Sequence, residues 1–361
     1  MTATLHKLSA GDGYTYLTRQ VAAGDSTERG YSSLGDYYSA KGEAPGIWHG
    51  GGLIALRTSG QVTEQQMLNL FGQGIHPDAG KIRDQAKAAG HGVAAAEAAT
   101  RLGSPFPTFE PNQQWRDRIS DAYAAYNTVH GNAVNKPIPA QERERIRTDV
   151  AGAMFTETHG RAPANERELT SFVAQASRPD RTSVAGYDVT FSPVKSVSTL
   201  WAVAPREVSE QIEAAHAAAV ADTIGWLERN VSYTRLGAHG VAQVDVRGLI
   251  AAVFTHRDSR AGDPDLHTHV AISNKVQTLD GRWLALDGRM IHRYLVAASE
   301  HYNTRLEAEI TGRIGGRFTA RETAQGKRPI RELEAVDPAL NERFSSRRQE
   351  ITVHRAELVE A

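Results

Sequence analysis

The residue types best suited to chemistry cluster in one short stretch, Phe254 to Asn274, which reads FTHRDSRAGDPDLHTHVAISN. It holds His256, His267 and His269. Successive side chains of a strand point to opposite faces, so His267 and His269 share one face. The polar connection DSRAGDPD lets the flanking segments pair as an antiparallel hairpin. His256 then sits opposite or diagonal to the pair, about 5–8 Å away between side-chain origins. Three neutral imidazoles on one side of a sheet suit a divalent ion and leave coordination positions open for substrate. The chain has no cysteine, which excludes disulfides and thiolate ligands. Cupin-type sites usually add a Glu soon after an H-x-H pair; here Ala271, Ile272 and Ser273 follow.

A metal-held phosphate calls for a nucleophile. The N-terminal segment concentrates tyrosines: Tyr14, Tyr16, Tyr31, Tyr37 and Tyr38. A phenol has a pKa near 10 and needs a base or an electrostatic activator before it attacks phosphorus. A metal-bound phosphate lowers that demand by absorbing developing charge. Asp188, in GYDVTF, is the candidate acid, placed to accept the phenol proton or to orient a histidine. Lys195, Arg257, Arg260, Lys275, Arg282 and Arg289 are candidate phosphate contacts, although such residues are more often solvated surface charges. Trp48, Trp283 and Tyr302 are candidates for stacking on unpaired bases, with core packing the commoner role for each.

These residues need elements to position them. Tyr187 to Phe191 alternates as a strand, and Ser192 is placed to cap a helix beginning at Pro193. A long helix is expected from about Pro205 to Arg229, with Val208, Ile212, Ala215, Ala219 and Leu227 roughly on one face. The segments SYTRLG, VAQVDVR, GLIAAVFTHR, LHTHVAISNKV and WLAL, closely spaced, indicate an antiparallel sheet. Gln61 to about Arg178 is mostly helical, with Thr63 as a cap, and nothing in it converges on chemistry; scaffold or lid is the expectation. The divisions expected are 1–59 (tyrosine-bearing segment), 60–185 (mostly helical insertion), 186–287 (sheet with the Asp and His motifs) and 288–361 (helical C-terminal part). The 361 residues, 40% hydrophobic and 23% charged, are those of an ordinary globular chain. A net charge of -1 does not mark an obvious polyanion binder, though it leaves room for a local basic face. The longest apolar run, Leu249 to Phe254, is too short to span a bilayer, and no signal peptide opens the chain, so a cytosolic protein is expected.

GYDVTFSPVKSVS, FTHRDSR with DLHTHV, and the N-terminal tyrosines together resemble conjugative relaxases of the TrwC/TraI type (the MobF group) within the HUH endonucleases. The order also fits: tyrosines, then the Asp strand, then the His strands. The resemblance implies an α+β fold, with an antiparallel central sheet (palm) packed by helices, a helical insertion and C-terminal helical fingers. It implies that His256, His267 and His269 hold a divalent ion (Mg, Mn or Zn) on the scissile phosphate, with Asp188 as the acid. A tyrosine then cuts one DNA strand at an origin of transfer and stays joined to its 5′ end. The partners implied are single-stranded or hairpin DNA, relaxosome accessory proteins and a coupling protein. The implied setting is the bacterial cytoplasm, with transfer alongside the DNA. Members often continue into a helicase; no GxxxxGK[ST] pattern occurs here, so a relaxase domain or a truncated form of a longer protein is expected.

The tyrosine pattern departs from the family's two adjacent pairs, because Thr15 splits Tyr14 from Tyr16 and a longer spacer leads to Tyr37 and Tyr38. On one helix, Tyr14 and Tyr16 differ by about 200°, so only one faces the histidines. Tyr14, directly after Gly11-Asp12-Gly13 and aligned with the family's first tyrosine, is expected as the first nucleophile, with Tyr16 packing. Tyr37 is expected to serve a second transfer. Three other readings stay open: a rolling-circle replication initiator, a DNA-binding module without catalysis, and a three-histidine enzyme acting on small molecules.

Overall fold

The alternating segments around Asp188 and the histidines form the centre of one sheet. The computed structural model of the protein describes residues 2–19, 45–108, 113–177, 182–259, 261–321, 323, 329–346, 349–350 and 352. Strand β1 (Ala3–Ser9) and helix α1 (Thr15–Arg19) come first, then β2 (Ile47–His49) and α2 (Leu53–Leu56). Helix α3 (Glu64–Met67) continues as a π-helical turn over Leu68–Gln73, followed by α4 (Ala79–Ala88) and α5 (Val93–Ala99). Three longer helices follow: α6 (Gln113–Val129), α7 (Ala140–His159) and α8 (Glu166–Ala176). Next come β3 (Val184–Phe191), α9 (Lys195–Val203), α10 (Arg206–Val231), β4 (Tyr233–Leu236) and β5 (Ala242–Asp245). The hairpin of β6 (Ala251–Asp258) and β7 (Pro264–Ser273) leads to β8 (Lys275–Gln277) and β9 (Trp283–Ala285). The chain then forms α11 (Gly288–Ile314), β10 (Phe318–Arg321), β11 (Ile330–Leu333) and α12 (Pro338–Arg343).

The main sheet has the order β1-β3-β7-β6-β2, antiparallel throughout, which is the expected α+β architecture. The period of two divides its residues between two buried faces. Val189, Phe191, Val270, Ile272 and Ala251 join Ile212, Ala215 and Ala219 of α10 and Ala298 and Leu306 of α11 in one core. Ala252, Phe254 and Ala271 join Leu17, Trp48, Met67, Leu70 and Phe71 in a second. Both faces are covered, so the strands read as near-continuous apolar runs. The polar residues that interrupt those runs are therefore informative.

Local signals account for some element ends and tertiary contacts for others. Thr63 caps α3 in a capping box with Gln66, as its sequence suggests. The long helix runs Arg206–Val231, with Pro205 as N-cap. Helix α9 begins later than expected, at Lys195 after an uncapped Val194. The reason is that the Ser192 amide still donates to the Thr2 carbonyl at 2.8 Å, so sheet-type pairing continues past the end of β3.

The chain divides into two compact units, Met1–Phe106 with Val184–Ala361, and Pro107–Ser183. Of the stretch expected as one insertion, 60–185, the part up to Phe106 belongs to the sheet unit. Val62, Met67, Leu70, Phe71 and Leu102 complete the second core there. The other unit is the three helices α6, α7 and α8 around Trp115, Ala151, Met154 and Ala176. Within the C-terminal part, α11 buries Ile291, Ala298 and Tyr302, and a β10–β11 ribbon and α12 follow it. Among the described residues no helix is long and apolar enough to cross a membrane.

Candidate active site

The β6–β7 register places His256 directly opposite His267, and His269 opposite Phe254. All three imidazoles therefore leave the sheet on the face of Ala252 and Phe254. Their ring centroids lie 5.2 to 5.3 Å apart. One nitrogen from each falls within 4.8 Å of the others. Second partners fix the rings: His267 Nδ1 lies 2.8 Å from the Asp265 carbonyl and His269 Nδ1 lies 2.8 Å from Asp188 Oδ2. The Nε2 atoms of His256 and His269 are buried and have no hydrogen-bond partner among the described residues. Buried polar atoms are rarely left so. Three convergent imidazoles whose far nitrogens are oriented by carbonyl or carboxylate are the donor set of a divalent transition-metal site. Burial pulls His256 down to about 3 and also lowers His267, so both present neutral imidazoles, the form that can ligate a metal.

Asp188 stands on the same face, one strand away. It is fully buried, and its Oδ2 accepts hydrogen bonds from Tyr16 Oη at 2.6 Å and from His269 Nδ1 at 2.8 Å. Thr190, two residues along β3, adds an Oγ1 contact to His269 Nδ1 at 3.0 Å. Thr190 was missed in the sequence, although a hydroxyl two residues from the acid on the same strand face is a legible signal.

The tyrosines differ from expectation in which one faces the histidines. Helix α1 begins at Thr15, so Tyr14 lies in the preceding turn rather than on the helix. There its ring packs with Leu17, Leu70 and Phe71 and is 5% exposed. Tyr16 turns to the site, with its ring edge-on to His269 at 6.0 Å between centroids. The turn sets this choice. Gly11 adopts a φ of +83° and donates to the Gly72 carbonyl, and a side chain at Gly13 would lie 2.3 Å from the Ser9 carbonyl oxygen. The chain thus folds tightly back over the end of β1, and α1 starts facing Asp188. Tyr31, Tyr37 and Tyr38 lie outside the described residues.

Among the described residues, the cationic candidates do not converge on the histidines. Arg257 points to the opposite face and forms an ion pair with Glu213 at 2.8 Å. Lys195 Nζ donates to the Pro264 carbonyl at 2.8 Å. Lys275 is buried, donates to the Ser104 carbonyl and sits 4.8 Å from the Phe106 ring centre. Arg282 pairs with Asp280 and Arg289 with Asp287. Arg260 lies outside the described residues. Trp48 and Tyr302 are core residues, 5% and 0% exposed, so neither offers a face to a base; Trp283 is half-buried against the second core.

The TrwC relaxase family model matches residues 10–361. The multifunctional conjugation protein TraI of Escherichia coli is 38% identical over 102 residues, which are 28% of this chain and 6% of TraI. TraI of Escherichia coli strain K12 is 36% identical over 102 residues, with the same shares. The chain thus matches only a small part of these relatives' length. Among solved structures, the conjugative relaxase TrwC in complex with oriT DNA is similar in its metal-bound form, with TM-score 0.52 and 20% identity over 98% of this chain and 83% of that one. Its metal-free form gives TM-score 0.52 and 21% identity over the same shares. At that identity the likeness speaks to the fold, and the fold is shared over nearly the whole chain. With the match to the family model extending over almost every residue, the chain belongs to the TrwC relaxase family.

Proposed function

We propose that the protein is a conjugative relaxase, a metal-dependent enzyme that nicks one DNA strand at an origin of transfer and remains joined to it. The observation that carries this reading is the hydrogen-bonded chain from Tyr16 through Asp188 to His269, on the face that also holds His256 and His267. In the reaction, Tyr16 Oη forms a bond to the scissile phosphorus and the bond from phosphorus to the 3′ oxygen breaks. The phenol proton passes to Asp188 Oδ2, and the released 3′ oxygen takes up a proton. The product is a 5′-phosphotyrosyl DNA strand, whose ester conserves the energy needed for resealing. His256, His267 and His269 hold a divalent ion (Mg, Mn or Zn) that supplies Lewis-acid stabilisation of charge on the phosphate oxygens. Asp188 also orients the His269 ring through Nδ1, and Thr190 supports it.

The N-terminal sequence adds Tyr37, with Tyr38 beside it, as the nucleophile of a second transfer. Tyr14 serves to pack α1 in place. Lys195, Arg257, Arg260, Lys275, Arg282 and Arg289 are lesser candidates for DNA contacts. The implied partners are single-stranded or hairpin origin DNA, relaxosome accessory proteins and a coupling protein, in the bacterial cytoplasm.

Incubation with single-stranded DNA and manganese, followed by mass spectrometry of the peptide–oligonucleotide product, tests the reading. A covalent adduct is expected on an N-terminal tyrosine. Binding without any adduct, across oligonucleotides carrying candidate origin sequences, would leave a DNA-binding module instead.

A further inference from the structure

The face of the β6–β7 hairpin turned away from the histidines carries a second polar arrangement. Thr268 stands between His267 and His269 in β7 and points into the helix layer. Its Oγ1 lies 2.8 Å from Oγ1 of Thr255, the residue before His256, and 2.7 Å from Nε2 of His216 on α10. His216 Nδ1 in turn lies 2.7 Å from Tyr302 Oη on α11. His216, Thr268 and Tyr302 are 1%, 1% and 0% exposed, among the apolar residues that α10, α11 and the sheet bury together. Burial pulls His216 down to about 3 and pushes the Tyr302 phenol well up, so both are neutral.

One polarity runs through the chain. A neutral imidazole offers one donor and one acceptor. With Tyr302 donating to Nδ1, Nε2–H to Thr268 and the Thr268 hydroxyl to Thr255, donors and acceptors match from end to end. Every link is then satisfied. Replacing both partners of a buried hydrogen bond with apolar groups of similar shape is nearly neutral for stability. What hydrogen bonds add over apolar contacts is direction. Here the direction is imposed at Thr255 and Thr268, the backbone neighbours of all three histidines. A small roll of either strand would separate ligand nitrogens that now lie within 4.8 Å.

We propose that the chain Tyr302–His216–Thr268–Thr255 is a positioning device for the metal centre, fixing from the helix side the roll of β6 and β7 and so the separation of the three ligand nitrogens. The inference rests on the reading of His256, His267 and His269 as ligands. The residues of the chain act through the strands and touch neither metal nor DNA.

Cobalt(II) alone is the probe, with titration calorimetry for affinity and the visible spectrum for coordination geometry. Thr268→Val keeps the shape and removes the hydroxyl, Tyr302→Phe removes only the phenol oxygen, and Thr268→Ser keeps a hydroxyl. Wild-type protein must bind cobalt and His267→Ala must lose it; failure there sinks the ligand reading and this inference with it. Given that control, Thr268→Val and Tyr302→Phe are expected to bind about 10-fold more weakly, the scale of outer-shell losses, with an altered spectrum. Thr268→Ser is expected to stay near wild type. Affinity is read on folded protein and the unfolding midpoint is read separately without metal. Wild-type cobalt affinity in Thr268→Val and Tyr302→Phe overturns the proposal, whatever happens to the midpoint. So does a loss in Thr268→Ser as large as in Thr268→Val.

Discussion

Tyr16 and His269 are joined through a single oxygen: Asp188 Oδ2 lies 2.6 Å from the phenol Oη and 2.8 Å from the imidazole Nδ1. One buried carboxylate thus touches the group proposed to attack and the group proposed to hold the ion. The link fits Asp188 for two proposed roles, acceptor for the phenol proton and anchor for the His269 ring. It also gives the two roles distinguishable signatures.

Tyr16→Phe removes the hydroxyl that faces Asp188 and keeps the ring, so folding survives. The covalent DNA adduct is expected to vanish. Tyr14→Phe alters a core ring at its oxygen only and is expected to keep the adduct. Peptide mapping of wild-type adduct decides the matter, and a product on Tyr14 would refute the assignment of Tyr16.

Asp188→Asn removes the proton acceptor and leaves the volume. Cleavage is expected to slow by about 10²-fold or more, the scale of general-base contributions. Raising the pH toward the phenol's own ionisation range near 10 should recover part of the rate. If the rate stays low at every pH while metal affinity drops, orientation of His269 is the dominant role instead.

His267→Ala deletes one imidazole of the three. Metal affinity and cleavage are both expected to fall steeply, and DNA binding much less, because phosphate contacts to the protein persist. Gel-shift and nicking assays on the same preparation separate the two effects. Undiminished nicking in His256→Ala, His267→Ala and His269→Ala alike would remove the metal site from the mechanism.

Gly13→Ala tests the turn that aims Tyr16. The added methyl would meet the Ser9 backbone at 2.3 to 2.5 Å, so the chain must move. A shift on the order of 1 Å in a reacting group costs about 10²-fold in rate. The expected result is slow adduct formation by protein that still binds metal, measured by single-turnover cleavage beside calorimetry. A wild-type rate would show that α1 is positioned without this turn.

His216 predicts the acid side of the stability profile. Burial lowers its folded pKa to about 3 from the ordinary histidine value of about 6.5, so between those values the unfolded chain holds a proton that the folded chain refuses. Stability from this group is complete above about 6.5 and falls with decreasing pH, by up to about 1.4 kcal/mol per pH unit. Urea midpoints of metal-free protein should trace that slope. A His216→Gln variant should show a shallower one, and an identical slope would count against the assignment.

The sequence by itself determined the histidine face. Strand alternation is a property of the backbone, so the spacing of His267 and His269 and the length of the DSRAGDPD connection already implied three imidazoles on one side of a hairpin. Asp188 was legible for the same reason, as the one charged residue of its strand. The long helix was legible from its apolar spacing, and Thr63 as the cap of the helix that follows it. Which tyrosine faces the site was not legible. That depends on the residue at which α1 starts, and the Gly11–Gly13 turn sets this by packing against nearby Ser9 and by pairing with Gly72, about 60 residues further along the chain. The division of the helical stretch at Phe106 was likewise hidden. Amphipathic helices of both units show the same period, and only packing says which core each apolar face joins. The fate of the basic residues was hidden too. Charge type is written in the sequence, but the carboxylate or carbonyl that engages Arg257, Lys195 or Lys275 is supplied by tertiary neighbours.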